Sequence, residues 1–307
     1  MIHILSEFII QELHEFININ NILNTTNLFK EYKKKYFYWD LNEYYSFKYY
    51  SDVDFYTLIN SKIMNVNKQL HIDLTNGDIT DEGLKKNYIG NVHTLNLSWC
   101  DKITDESVKQ MVSVHELNLW ECRNITDDVV KHLGKIHTLN LMGCNKITDE
   151  SVKHLGNCHK LDLNRCDKIT DESVKFLGNC HTLHLGNCIN VTNDGVKYLG
   201  DVTVLHLNGI NITDEGLRFL GNTHIIDLDC ENITDDGLRF LGNDILFLYN
   251  CNKITKEGIK HLTNVNVLHL YGLDKKIIIT KEWCMEHLPK VYFFVVNGIR
   301  VYPLRGY

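Results

Sequence analysis

From Leu139 to Asn157 the chain reads LNLMGCNKITDESVKHLGN, and from Leu161 to Asn179 it reads LDLNRCDKITDESVKFLGN. Taking the first leucine of each L-x-L pair as a marker, copies of this unit begin at Ile72, Leu95, Leu117, Leu139, Leu161, Leu183, Leu205, Ile226, Leu246 and Leu268. Most steps are 22 residues, and steps of 21 and 20 appear late. A unit this short cannot bury its own apolar face, so a fixed period in the twenties demands a solenoid in which each copy is covered by its neighbours.

Each position in the unit has a physical task. The L-x-L core alternates with period two, placing its leucines on one face of a short strand and the residue between them on the other. A cysteine recurs three residues on, at Cys100, Cys122, Cys144, Cys166, Cys188 and Cys251, where a small and weakly hydrogen-bonding side chain suits a buried turn. The I-T-D/K/N element follows, for example Ile147-Thr148-Asp149, with threonine as N-cap and acidic residues at the positive end of a helix. Val152 and Leu155 give that helix an apolar stripe, and Gly156 is expected to stop it in a positive-φ conformation. This reading predicts an α/β fold, a horseshoe with parallel strands on its concave face and short helices on its convex face.

These units resemble the cysteine-containing leucine-rich repeats of F-box proteins, whose I-T-D element is the same. The resemblance covers about residues 70–290. The N-terminal residues do not repeat: Leu5, Ile9, Leu13 and Phe16 share one helical face, followed by Ile19, Ile22, Leu23 and Leu28-Phe29-Lys30-Glu31-Tyr32. The run from Leu5 to Leu13 resembles the opening L-P-x-E-x-x-x-x-I/L of an F-box, and Leu28 to Tyr32 its closing V-x-K-x-W. Ser6 stands for the motif's proline, Phe8 for its glutamate and Tyr32 for its tryptophan. Abundant Asn, Ile, Lys and Tyr with only two prolines resemble the F-box/leucine-rich-repeat paralogues of mimivirus-like giant DNA viruses. The expected organisation is an F-box-like helical module with an aromatic cap over residues 1–66, a solenoid of about ten units over 67–290, and a C-terminal cap or tail over 291–307.

The resemblance implies an adaptor. Its F-box would dock on the Skp-type linker subunit of a cullin-RING ubiquitin ligase through Leu5, Ile9, Ile10, Leu13, Phe16, Leu28 and Tyr32, while the repeats hold a protein substrate. Such an adaptor is not an enzyme, and the chain shows no G-x-x-x-x-G-K-[ST], H-E-x-x-H or G-x-S-x-G motif. The alternative is a repeat-only scaffold whose degenerate N-terminus is merely a cap.

Composition narrows the partners. A net charge of -7 argues against nucleic acid. Glu7, Glu12 and Glu15 interrupt the N-terminal apolar residues, and no apolar run is long enough for a bilayer, so a cytoplasmic, reducing location is expected, in the host if the chain is viral. The ten cysteines include no C-x-x-C pair. Beyond the ladder, Cys158 and Cys180 occupy a column filled elsewhere by Val92, Val114, Ile136, Val202 and Val265, so core packing is expected, with no cofactor. The histidines preceding the strands (His93, His115, His137, His159, His181, His224) are periodic and expected to be solvated.

The outward rows point to the substrate face. Between the marker leucines lie Asn96, Asn118, Asn140, Asp162, His184, His206, Asp227, Phe247 and His269; after the second leucine lie Ser98, Trp120, Met142, Asn164, Gly186, Asn208, Asp229, Tyr249 and Tyr271. The early rows are polar and the late ones aromatic where the fold does not require it, which marks His184, His206, Asp227, Asp229, Phe247, Tyr249, His269 and Tyr271 as the candidate substrate site. Two alternatives stand beside it: the tail segment from Val291 to Val296 folds over and covers this patch, or Asp162, His184, His206 and Asp227 converge on one metal ion.

Overall fold

The computed structural model describes residues 38–41, 50–51, 69–86 and 92–301. Its strands begin with β1 (Tyr38–Leu41), β2 (Gln69–Asp73), β3 (Thr94–Asn96), β4 (Glu116–Asn118), β5 (Thr138–Asn140), β6 (Lys160–Asp162) and β7 (Thr182–His184). They continue through β8 (Val204–Leu207), β9 (Ile225–Asp229), β10 (Ile245–Tyr249), β11 (Val267–Leu270), β12 (Phe293–Val296) and β13 (Ile299–Val301). Among the described residues they form one sheet in chain order, parallel except for the antiparallel pair β12 and β13. The marker leucines pair in register, Leu117 with Leu139 and Leu139 with Leu161, so identical side chains stack. Leu139, Leu141, Leu161 and Leu163 are fully buried, and each contributes about 2 kcal/mol of apolar burial.

The turn after each strand closes with contacts between repeats. The Cys122 thiol donates to the Leu97 carbonyl at 3.1 Å, Cys144 to Leu119 at 3.1 Å and Cys188 to Leu163 at 3.1 Å, so each of these cysteines is tied to the preceding unit. Burial pushes the Cys144 and Cys188 thiols up to about 12, which leaves them protonated and unreactive. Cys158 and Cys180 are buried in the valine column, as expected. The sequence pattern did not expose one feature of this turn. The backbone turns left-handed at Trp99 (φ 63°), Glu121 (φ 58°), Gly143 (φ 71°), Arg165 (φ 59°) and Gly209 (φ 71°), a conformation that costs a residue with a Cβ roughly 1–2 kcal/mol.

From Asp105 to Ile259 the helices are single turns, such as Asp149–Val152, and Thr148 caps that helix by accepting from the Glu150 N–H at 3.2 Å. In most units an aspartate follows the capping threonine and reaches into the next repeat. Asp127 accepts from the Thr148 N–H at 2.8 Å, the Thr148 hydroxyl at 2.7 Å and the Ser151 hydroxyl at 2.5 Å, and Asp149 does the same with Thr170 and Ser173. At Asp81 burial pushes the carboxyl up, but the equivalent bonds from Ser107 and Thr104 outweigh it and hold the group below its usual range. Four later units carry glycine where these carry serine: a Cβ on Gly216 would lie 2.6 Å from the Asn193 side-chain oxygen.

The expectation for Gly156 is corrected by the structure. Its φ is not positive; it lies in the turn between Leu155 and Cys158, where the Cys158 N–H donates to the Leu155 carbonyl at 3.0 Å. A Cβ there would collide with the Phe176 carbonyl oxygen of the following repeat, and at the equivalent Gly200 it would lie 2.6 Å from the Phe219 oxygen. Glycine is required here by the approach of two backbones, not by a helix stop.

At the N-terminal end, β1 adds a strand before the first repeat, and the Tyr50 hydroxyl accepts from the Thr80 N–H at 3.4 Å. This places part of the aromatic stretch against the core. At the other end the segment from Val291 to Val296 does not fold over the sheet. β12 pairs edge to edge with β11, His269 opposite Val295, and β13 returns beside it, with Phe294 fully buried. The F-box-like positions Leu5, Ile9, Ile10, Leu13, Phe16, Leu28 and Tyr32 lie outside the described residues.

Gly156→Ala is expected to destabilise by about 1–3 kcal/mol through overpacking. Gly242, where an added Cβ meets nothing within 4 Å, is the comparison: Gly242→Ala should be neutral or stabilising by up to about 1 kcal/mol. Equal melting shifts for the two would restore a conformational role for Gly156. For the aspartate ladder, Asp127→Ala should cost about 2–3 kcal/mol and Asp127→Asn clearly less. The amide already serves at Asn193, which accepts from the Thr213 N–H at 3.0 Å and donates to its hydroxyl at 2.9 Å. Urea unfolding of both variants measures the gap.

Candidate functional site

The early open-face row is polar for a structural reason. The side-chain oxygens of Asn96, Asn118, Asn140 and Asp162 accept from the backbone N–H two residues on, at 3.1, 3.0, 2.9 and 3.0 Å. This local bond fixes the strand exit and is the habit of Asn and Asp in turns. At β7 the pattern stops: the Gly186 N–H is taken by the Asn164 side chain at 2.5 Å. From His184 onward the row is released from that duty.

The residues that follow form two connected groups. His184 and His206 stack with ring centroids 4.1 Å apart, and the His206 Nδ1–H donates to Asp227 Oδ2 at 2.9 Å. Asn208, a neighbour in the second row that was not among the candidates, donates to Asp227 Oδ1 at 2.7 Å. Asp229 accepts from the Glu231 N–H at 3.1 Å and from the Asn250 side chain at 2.8 Å. Across the strand pair Asp227 faces Phe247 and Asp229 faces Tyr249. Phe247 stacks on His269 at 4.5 Å, Tyr249 on Tyr271 at 5.1 Å with rings 7° from parallel, and His269 meets Phe293 at 5.3 Å. All eight candidate side chains are half-buried and share this face. A second aromatic contact, Trp99 edge-on to Trp120 at 5.5 Å, lies three strands or more away.

Burial, then repulsion from His206, pushes His184 down to about 4, so it is uncharged at neutral pH. Burial raises Asp162 and lowers His269; burial and then Asp227 raise Tyr249. The metal alternative meets a geometric obstacle. Ring nitrogens lie in the ring plane, so face-to-face imidazoles do not aim them at a common point, and His206 Nδ1 is committed to Asp227. Among the described residues no group of three or more His, Cys, Asp and Glu is arranged to hold an ion. The histidines before the strands form a separate column: His115, His137, His159 and His181 are exposed and stack at 4.5 Å spacing. Among the described residues no helix is long and apolar enough to cross a membrane.

The family model described as Leucine Rich repeat matches residues 70–86, 91–112, 135–156 and 159–178, so the chain carries leucine-rich repeats. No curated protein matches the sequence. Among solved structures, the chain is 18% identical to the internalin inlF of Listeria monocytogenes, with a TM-score of 0.48, covering 71% of this chain and 69% of that one. It is 18% identical to a chain of the yeast Rad7 and Elc1 complex, with a TM-score of 0.49 and coverages of 80% and 71%. Against the TLR13-ssRNA13 complex the score is 0.52 at 18% identity, over 74% of this chain and 35% of that one, a likeness of fold.

The shift of His184 has a pH consequence. Its folded pKa of about 4 lies below the ordinary value near 6.5, so the unfolded chain takes up the proton first. The stability it contributes is complete above about pH 6.5 and is lost as pH falls towards 4. His184→Asn, which installs the residue of the early row, should flatten the fall in melting temperature between pH 6.5 and 4.5 relative to the wild type. Identical pH profiles would show that His184 is not held neutral by the fold.

Proposed function

We propose that the chain is a non-enzymatic protein-binding adaptor, with the open face from β7 to β11 as its partner-binding surface. The observation that carries this reading is the release of that row from structural duty. Four early units spend the position on a bond to their own backbone, whereas the late units place there stacked rings and the Asp227 carboxylate. Half-buried aromatic clusters beside polar groups are what protein interfaces use as anchors. Leucine-rich repeats are a protein-interaction fold, and parallel strands set such anchors in rows about 4.8 Å apart.

The finer reading is substrate recognition for an SCF-type cullin-RING ubiquitin ligase in the cytoplasm, the host's if the chain is viral. It is supported by the F-box-like spacing of Leu5, Leu13, Leu28 and Tyr32 ahead of repeats of the F-box type. In this reading the N-terminal module holds the Skp-type linker subunit while the open face presents a protein for ubiquitin transfer. The competing reading, a repeat-only scaffold, is favoured by Ser6, Phe8 and Tyr32 at three motif positions.

Purified full-length chain mixed with purified linker subunit separates the two. Binding is expected for the wild type, and Leu5→Ala with Leu13→Ala should weaken it at least tenfold while leaving the solenoid's melting transition unchanged. Failure of the wild type to bind overturns the adaptor reading and leaves the scaffold.

A further inference from the structure

We infer that the open face is built for a basic side chain, an arginine presented by an extended segment of a partner protein, with Asp227 and Asp229 as its counter-charges and Tyr249 and Tyr271 as its stacking surface. The inference rests on the open face being the partner site and names what that site takes.

Charge is the first argument. From β7 to β11 the two outward rows contain the two aspartates and no lysine or arginine. On several helices an acidic side chain is matched by a lysine of the same helix, as Glu150 is by Lys153 at 2.8 Å and Glu172 by Lys175 at 2.6 Å. Asp227 and Asp229 have no such match: among the described residues neither pairs with a lysine or arginine, and their contacts to His206, Asn208, Asn250 and the Glu231 N–H use one bond per oxygen. Each carboxylate offers about four acceptor directions, so both keep capacity for a cation. Standing two residues apart on one strand, they are separated by about 6.6 Å along it, a span that the fork of a guanidinium can address from between them.

The second argument is independent of charge. Tyr249 and Tyr271 present parallel rings beside the carboxylates, and aromatic surfaces attract cations, guanidinium above all because it also stacks. The chain carries an example next to that aromatic surface. Phe293, which pairs with Val267 and meets the His269 ring at 5.3 Å, lies under the guanidinium of Arg300 from β13 at 4.7 Å. Arg300 comes from the antiparallel return strand at the C-terminal end of the sheet, leaving the tyrosine pair and both aspartates to a guanidinium from outside. Arginine is preferred over lysine because lysine brings neither the planar stack nor the fork.

The test uses the full-length chain to select from a displayed library of random nine-residue peptides, followed by fluorescence titration of one selected peptide in synthetic form. Arginine should be enriched at one position of the selected peptides. Replacing it by lysine should weaken binding several-fold, and replacing it by alanine about tenfold or more. Asp227→Asn with Asp229→Asn should abolish the preference, Phe247→Ala with Tyr249→Ala should abolish binding, and Thr138→Ala should change neither. Thermal melting accompanies every variant, and the conservative aspartate pair serves where the aromatic pair fails to fold. Peptides that lack basic residues yet still depend on Phe247 and Tyr249 would overturn this inference and keep the open face as the partner site. Peptides indifferent to all four side chains, or none selected, would overturn both.

Discussion

Every repeat in this molecule is completed by another. A single unit of 22 residues has one short strand and one helical turn, neither of which persists alone. What holds is the set of bonds that skip a whole period. The Cys144 thiol reaches back to Leu119, Asp127 reaches forward to Thr148 and Ser151, and the Gly156 backbone lies against that of Phe176. Together they fix the register at three points around the coil, while the stacked leucines supply most of the burial. A substitution at any of them therefore acts on an interface between units, and its cost is shared by two.

The same constraint separates the scaffold from the site. In the first half of the array the row between the leucines is drawn into the scaffold through the bonds of Asn96, Asn118 and Asn140 to their own backbones. In the second half the longer strands β9 and β10 carry more ladder pairing, and Phe247 and Tyr249 are free to differ from the consensus. The late rows are where the repeat tolerates variation.

The sequence made some of this legible and hid the rest for a reason that recurs. The leucine alternation, the threonine caps and the cysteine column were readable because period two, an N-cap and a small buried side chain are local signals. Gly156 was misread because glycine after a helix usually means a left-handed stop, and nothing within one unit reveals that another backbone lies against it. The asparagine row was read only as polar, because recurrence at Asn96, Asn118 and Asn140 does not reveal that each side chain bonds the backbone two residues on. Trp99, Glu121 and Arg165 conceal a left-handed turn that glycine at Gly143 and Gly209 would have advertised. The late aromatic rows were found because they break the pattern, although Asn208 and Arg300, which complete that region, sit in positions that consensus reading passes over.

The near-identity of Leu139–Asn157 and Leu161–Asn179 bears on length. Two stretches so alike can misalign during recombination, and the product gains or loses one whole unit with both flanking interfaces intact. Each such event would shift the aromatic face away from or towards β1 by one strand spacing, about 4.8 Å. The array is thus a gauge graduated in strands, and the reach between its two ends can be reset without remaking either.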